Sequence, residues 1–106
     1  MGHRKRLARS KHRVRAATVR IANRDVIVVE VTAALVADPF EAQLAITAIE
    51  LTCAKPVVLW AYEPCGCREL FGRREHIRVI DEMSAEELEW MHVEIDFARP
   101  VLPPPN

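Results

Sequence analysis

The chain has 106 residues, of which half are hydrophobic and only six are aromatic. This composition excludes an intrinsically disordered polymer and predicts one domain with a mainly aliphatic core. The formal net charge is zero. No stretch approaches the roughly 20 apolar residues that span a bilayer, so we expect a cytoplasmic protein.

The zero net charge hides a strong asymmetry along the chain. Residues 1–24 contain nine Lys or Arg and no acidic residue, whereas residues 81–96 contain seven acids and no Lys or Arg. A basic end of this kind attracts nucleic acid or an acidic protein surface. It could also fold back onto the acidic end of its own chain.

Three regions follow one another along the sequence. Residues 1–12 show no apolar periodicity and predict a flexible basic arm. Residues 13–99 predict a single α/β domain, and residues 100–106, with four prolines, predict an extended tail.

The domain is expected to begin with a β-hairpin. Apolar and polar residues alternate over residues 13–21, and residues 26–33 are rich in β-branched side chains. Asn23 to Asp25 between them has the composition of a turn. Together these signals predict two paired strands, the first at an edge of the sheet.

The clearest helix signal lies at Asp38-Pro39-Phe40-Glu41, which combines a capping Asp, a Pro at the first helical position and a Glu two residues later. It predicts a helix over residues 39–54, ended by Pro56. Because this helix is apolar around most of its circumference, we expect it to be sandwiched within the domain or docked on another subunit. The candidate interface residues are Phe40, Leu44, Ile46 and Leu51.

The rest of the domain predicts alternating short elements. In chain order they are a buried strand at 57–62, a short helix at 67–74, a strand at 77–80, a helix capped by Ser84 that runs to about Met91, and a last strand at 93–97. This order favours a two-layer sandwich of the α+β or α/β class, with a mixed sheet of about five strands, an N-terminal hairpin and two main helices. The alternative is a small three-layer α/β sheet.

Cys65-Gly66-Cys67 is the most specific local feature. It follows the predicted buried strand and precedes a predicted helix, whose N-terminus would lower the pKa of a thiol. The segment Pro56–Cys67, PVVLWAYEPCGC, resembles the passage from strand to active site in thioredoxin-like proteins, where a strand ends in Trp-Ala shortly before a cysteine pair. The resemblance implies thiol redox activity by Cys65 and Cys67.

A zinc site is a second hypothesis for the same segment. Cys65, Cys67 and His76 would supply three ligands, with Cys53 or His92 as a fourth. The structural alternative is that Cys53 is a core residue of the helix while Cys65 and Cys67 shape a tight loop. We favour this alternative, which requires no cofactor.

The sequence lacks a glycine-rich phosphate loop, a nucleophile elbow and a His-Glu-x-x-His motif, which argues against an enzyme. The broadest functional feature is the basic strip formed by Arg4, Lys5, Arg6, Arg9, Lys11, Arg13 and Arg15. We therefore expect a small non-catalytic binding module, oligomeric through its apolar helix, whose basic segment contacts nucleic acid or an acidic partner. The alternative is a solvated tail that keeps the protein soluble.

Overall fold

A mixed five-stranded sheet forms the centre of this computed structural model, which describes residues 8–62 and 67–99 and the side chains of residues 13–62 and 67–95. The elements are β1 (Ala8–Ile21), β2 (Arg24–Glu30), α1 (Ala33–Val36), α2 (Pro39–Cys53), β3 (Val57–Tyr62), β4 (Arg68–Phe71), α3 (Arg74–Ile80), a 3-10 turn (Ala85–Glu87) and β5 (Met91–Arg99). The predicted α+β class with a mixed sheet is confirmed.

The strands lie in the order β4-β3-β2-β1-β5. Among the described strands, only β2 and β3 are parallel, and α1 and α2 provide the crossover between them. The predicted N-terminal hairpin is confirmed as β1–β2, with Ile21 opposite Arg24. The prediction that its first strand lies at an edge of the sheet is wrong, because β5 pairs with the other side of β1. The hairpin turn is Ala22-Asn23, one residue earlier than predicted, and both residues have the positive φ angles (52° and 66°) that two-residue hairpin turns require.

The first strand is longer than the sequence predicted. It begins at Ala8 instead of Arg13, and residues 8–12 pair antiparallel with β5, from Ala8 opposite Arg99 to His12 opposite Ile95. Residues 8–12 form a strand because the backbone of β5 pairs with them. Their own sequence has no apolar alternation that could have indicated this pairing. Residues 1–7 of the predicted arm and the predicted tail lie outside the described residues.

Helix α2 follows the predicted signals closely. The Asp38 carboxylate accepts hydrogen bonds from the backbone N–H groups of Phe40 and Glu41, at 3.1 and 3.2 Å. The helix ends at Cys53, followed by Ala54 in the left-handed region with φ 60°. Over residues 8–62 and 67–99, no helix has both the length and the apolar character needed to cross a membrane.

Three predictions between residues 67 and 91 are wrong. The segment predicted as a short helix forms β4, because residues 68–71 pair antiparallel with the open edge of β3. The segment predicted as a strand at 77–80 belongs to α3, whose His76 and Ile80 are buried at helical spacing. Ser84 precedes only a 3-10 turn and makes no side-chain capping bond, so the helix predicted to reach Met91 is absent.

Helices cover both faces of the sheet. On one face, α1 and α2 pack against an aliphatic cluster that includes Val29, Leu59 and Ile46. On the other face, Ile80 of α3 and Leu88 pack against Trp60. The short α3 and the 3-10 turn therefore add a partial third layer to the predicted two-layer sandwich.

Candidate functional site

A polar groove of about 680 Å³ lies where β2 ends, between β1, β5 and the segment that follows β2. Its lining residues are Arg13, Val14, Arg15, Glu30, Val31, Thr32 and His92. Strand alternation places Arg13 and Arg15 on the same face of β1, and the β1–β5 register places His92 opposite Arg15. The groove therefore combines two guanidinium groups, one carboxylate and one imidazole.

Arg15 is fixed within this groove by Glu30. Its Nε and one terminal nitrogen donate to the two carboxylate oxygens of Glu30, each at 2.8 Å. This paired hydrogen bonding lowers the pKa of Glu30 and raises the pKa of Arg15. The Arg15 guanidinium carbon also lies 4.9 Å from the centre of the Trp90 ring. These contacts hold Arg15 in one orientation while its side chain remains 39% exposed.

An aromatic cluster adjoins the groove through Trp90, which contacts Arg15. Trp60 is fully buried and makes edge-on contacts with Tyr62 and Trp90, with ring centres 6.0 and 5.5 Å apart. The Arg68 guanidinium carbon lies 4.6 Å from the centre of the Trp60 ring, and Arg68 donates a hydrogen bond to the Met83 carbonyl. Rings and guanidinium groups thus pack together on one face of the sheet, where Tyr62 remains 44% exposed.

The structure places only part of the predicted basic strip. Arg13 is exposed, and Arg15 is paired with Glu30. Arg9 and Lys11 occupy backbone positions of β1 opposite Ala98 and Asp96. The remaining three predicted contact residues, Arg4, Lys5 and Arg6, lie outside the described residues.

The residues of the thiol and zinc hypotheses do not come together in the described part of the chain. Cys65 lies outside it, and Cys67 is exposed just before β4. His76 is buried within α3, and its Nδ1 finds no hydrogen-bond partner among the described residues. Cys53 lies at the end of α2, and His92 lines the groove. Within residues 8–62 and 67–99, no three His, Cys, Asp or Glu side chains form a metal-binding group.

The candidate interface residues of α2 divide into two groups. Phe40 and Leu51 are 70% and 82% exposed, and Leu44 is partly buried between them. Ile46 is only 4% exposed and belongs to the aliphatic core of its own chain. Successive residues of a helix are about 100° apart, so Ile46 lies roughly 140–160° around the helix from Leu44 and Leu51. Ile46 therefore faces the sheet and is not available to a partner.

Sequence reasoning missed the contributions of Glu30 and Trp90 to this site. Glu30 carried no functional prediction, yet its partner follows from the hairpin register. With Ile21 opposite Arg24 and Ala16 opposite Val29, the next position brings Arg15 opposite Glu30. Trp90 had no comparable signal, because its position depends on the irregular segment before β5.

Comparison with known proteins gives no relative: no family model, no curated protein and no solved structure matches this chain. Its function is therefore inferred from the groove, the charges and the exposed surfaces of the chain itself.

Proposed function

We propose that this protein is a small non-catalytic binding module that contacts nucleic acid through its basic N-terminal segment and the adjoining groove. The observation that carries the proposal is that residues 1–15 contain seven Lys or Arg and no acidic residue, and that Arg13 of this segment is exposed at the groove. Phosphates attract such a segment and release counterions on binding.

The geometry of β1 favours a regular polyanion over an isolated acidic side chain. Arg13 and Arg15 are two strand positions apart, or about 6.7 Å. Charges recur at regular intervals along a nucleic-acid strand, so two cations at this fixed spacing can contact two phosphates at once, whereas an isolated carboxylate can engage only one of them. Arg15 uses two of its five N–H donors on Glu30, so three remain for a phosphate.

The test is a fluorescence anisotropy titration with a short labelled duplex and its separated strand, repeated at several salt concentrations. We expect tight binding at low salt and a linear fall of log K with log salt. Arg13→Ala should reduce the magnitude of that slope by about 0.9, as expected for one lost phosphate contact. Deletion of residues 1–7, which include three Lys or Arg, should reduce it further.

Arg24→Ala is the matched control, because Arg24 is also exposed but lies at the hairpin end of the sheet, about 30 Å along the strand from Arg13. The control should bind like the parent protein. Absence of binding at low salt would contradict the proposal and favour an acidic protein partner. Equal losses for Arg13→Ala and Arg24→Ala would show that net charge, not the groove, drives binding.

We further propose that two copies associate through the outer face of α2. Phe40, Leu44 and Leu51 recur on this face at intervals of four and seven residues, with Thr47 between the two leucines. This is the a/d spacing with which two helices pack side by side. Sedimentation velocity should show a dimer that Leu51→Lys dissociates, whereas Val79→Lys, at an exposed site on α3, should leave it intact. A monomeric parent protein would contradict this proposal.

A further inference from the structure

A second cleft lies on the opposite face of the sheet from the groove, between the C-terminal half of α2 and strands β1, β2 and β5. Its volume is about 330 Å³. Its lining includes Ala16, Thr18, Ile49, Cys53, Val93 and Ile95. This volume is at the lower end of the range of about 300–1,000 Å³ that small-molecule sites occupy.

Strand alternation determines which side chains face this cleft. Ala16 and Thr18 point to the α2 side of β1, whereas Ala17 belongs to the cluster on the other face. The same alternation on β5 directs Val93 and Ile95 towards α2 and Glu94 away from it. No Lys, Arg, Asp or Glu side chain among the lining residues is therefore directed into the cleft.

The polar atoms at the α2 side of the cleft are already engaged. The Thr52 hydroxyl donates a hydrogen bond to the Ala48 carbonyl at 3.3 Å, and the Cys53 thiol donates to the Lys55 carbonyl at 3.6 Å. A polar ligand would lose its hydrogen bonds to water here and regain few of them. An apolar ligand has no hydrogen bonds to water to lose, and the burial of its own surface favours binding.

The cleft is open because one wall has a very small side chain. Ala16 of β1 faces the cleft, while Ile27 and Val29 of the neighbouring strand present branched side chains. On α2, Ala42 and Ala45 are buried in the aliphatic core, whereas Ile49 lines the cleft. A larger residue at position 16 would fill space that the present sequence leaves free.

We propose that this cleft binds a small uncharged apolar molecule, such as an aliphatic alcohol or an unsubstituted aromatic ring system. The concave shape of the cleft, between a helix and three strands, suits a small molecule better than a flat protein surface. Moreover, the most exposed apolar residues of α2, Phe40 and Leu51, are not part of its lining. The site is independent of the nucleic-acid groove, because Arg15 and Ala16 point to opposite faces of β1.

The experiment is a titration of the full-length protein with N-phenyl-1-naphthylamine, an uncharged dye whose fluorescence rises in apolar surroundings. We expect one saturable site per chain and displacement of the dye by 1-decanol. Ala16→Leu, which fills the cleft, should weaken binding at least about tenfold. The same change at exposed Ala34 of α1, which is not a lining residue, should leave binding unchanged.

Cys53 provides a second measurement that does not depend on a filled variant. In a Cys65→Ser, Cys67→Ser background, bound dye should slow the alkylation of Cys53, because its side chain lines the cleft. Absence of saturable binding, equal binding by Ala16→Leu, or unchanged Cys53 alkylation at saturating dye would overturn the proposal. Dissociation of a dimer by Ala16→Leu in the absence of dye would also overturn it, since a second copy would then occupy the cleft.

Discussion

The two faces of the sheet are packed with different kinds of side chains. Adjacent residues of β3 show the contrast: Leu59 and Trp60 are both fully buried, but on opposite sides. The Leu59 face is aliphatic and covered by α2, whereas the Trp60 face combines rings with the guanidinium groups of Arg15 and Arg68. Among the described residues, the aliphatic core therefore contains no charged group, whereas the aromatic face holds two guanidinium groups at the edge of the core. One of them, that of Arg15, lines the groove.

The carboxylates of Glu50 and Glu30 also differ, in the number of segments that each one connects. Glu50 of α2 accepts hydrogen bonds from the Val57 backbone N–H at 2.9 Å and from Arg73 at 2.8 Å, so it ties α2 to the start of β3 and to the residue before α3. Glu30 contacts Arg15 at the groove. Glu50 therefore joins three segments of the fold, whereas Glu30 orients a single side chain.

The largest predicted effect contrasts the two residues of β3. Trp60→Ala should lower the free energy of unfolding by about 4 kcal/mol and Leu59→Ala by about 3 kcal/mol, because the indole supports both Arg68 and Trp90. Urea denaturation monitored by circular dichroism measures both values. Trp60→Phe is the control: it keeps a ring and removes an indole N–H that has no acceptor among the described residues, so it should cost less than half as much. A smaller loss for Trp60→Ala than for Leu59→Ala would show that the aromatic face contributes little to stability.

The next effect separates the two carboxylates. Glu50→Ala should cost about 2 kcal/mol, because it removes the acceptor of a partly buried backbone N–H together with the Arg73 pair. Glu30→Ala should cost about 0.5 kcal/mol, since the Arg15–Glu30 pair is partly exposed to solvent. Denaturation at neutral pH compares the two variants directly. Equal losses would contradict the distinction between a joining and an orienting carboxylate.

Acid provides a third, smaller test. Hydrogen bonds from Arg15 and Arg73 lower the folded-state pKa values of Glu30 and Glu50 below the ordinary value of 4.5. Their stabilisation is therefore complete above about pH 4.5 and is lost as the pH falls through the lowered folded-state values. Thermal denaturation from pH 6 to pH 3 should show a smaller loss of stability in Glu50→Gln than in the parent protein. Glu86→Gln, at an exposed position, controls for the loss of one negative charge, and an identical acid profile for Glu50→Gln would contradict the assignment.

The sequence predicted the elements that depend on neighbouring residues and missed those that depend on contacts between distant residues. Asp38, Pro39 and Pro56 fix α2 through cap and ring geometry, which involve only neighbouring residues, and the helix was predicted to within one residue. Residues 68–71 form a strand because β3 offers them an open edge, a contact that no local pattern reveals. Of the residues that form the groove and its support, only Arg13 and Arg15 were among the predicted contact residues, because Glu30 required the hairpin register and Trp90 required the path of an irregular segment.

The smallest predicted effect concerns the connection between α2 and β3. Ala54 adopts a left-handed conformation with φ 60° and donates its N–H to the Glu50 carbonyl at 2.8 Å. Glycine adopts this conformation without the steric cost of a Cβ atom, so Ala54→Gly should stabilise the protein by about 0.5–1 kcal/mol. Ala48→Gly, within the same helix, should instead cost about 1 kcal/mol, and both are measured by urea denaturation. A gain in stability for Ala54→Gly would show that the left-handed conformation of Ala54 is strained in the native protein. A loss would contradict this interpretation of the connection between α2 and β3.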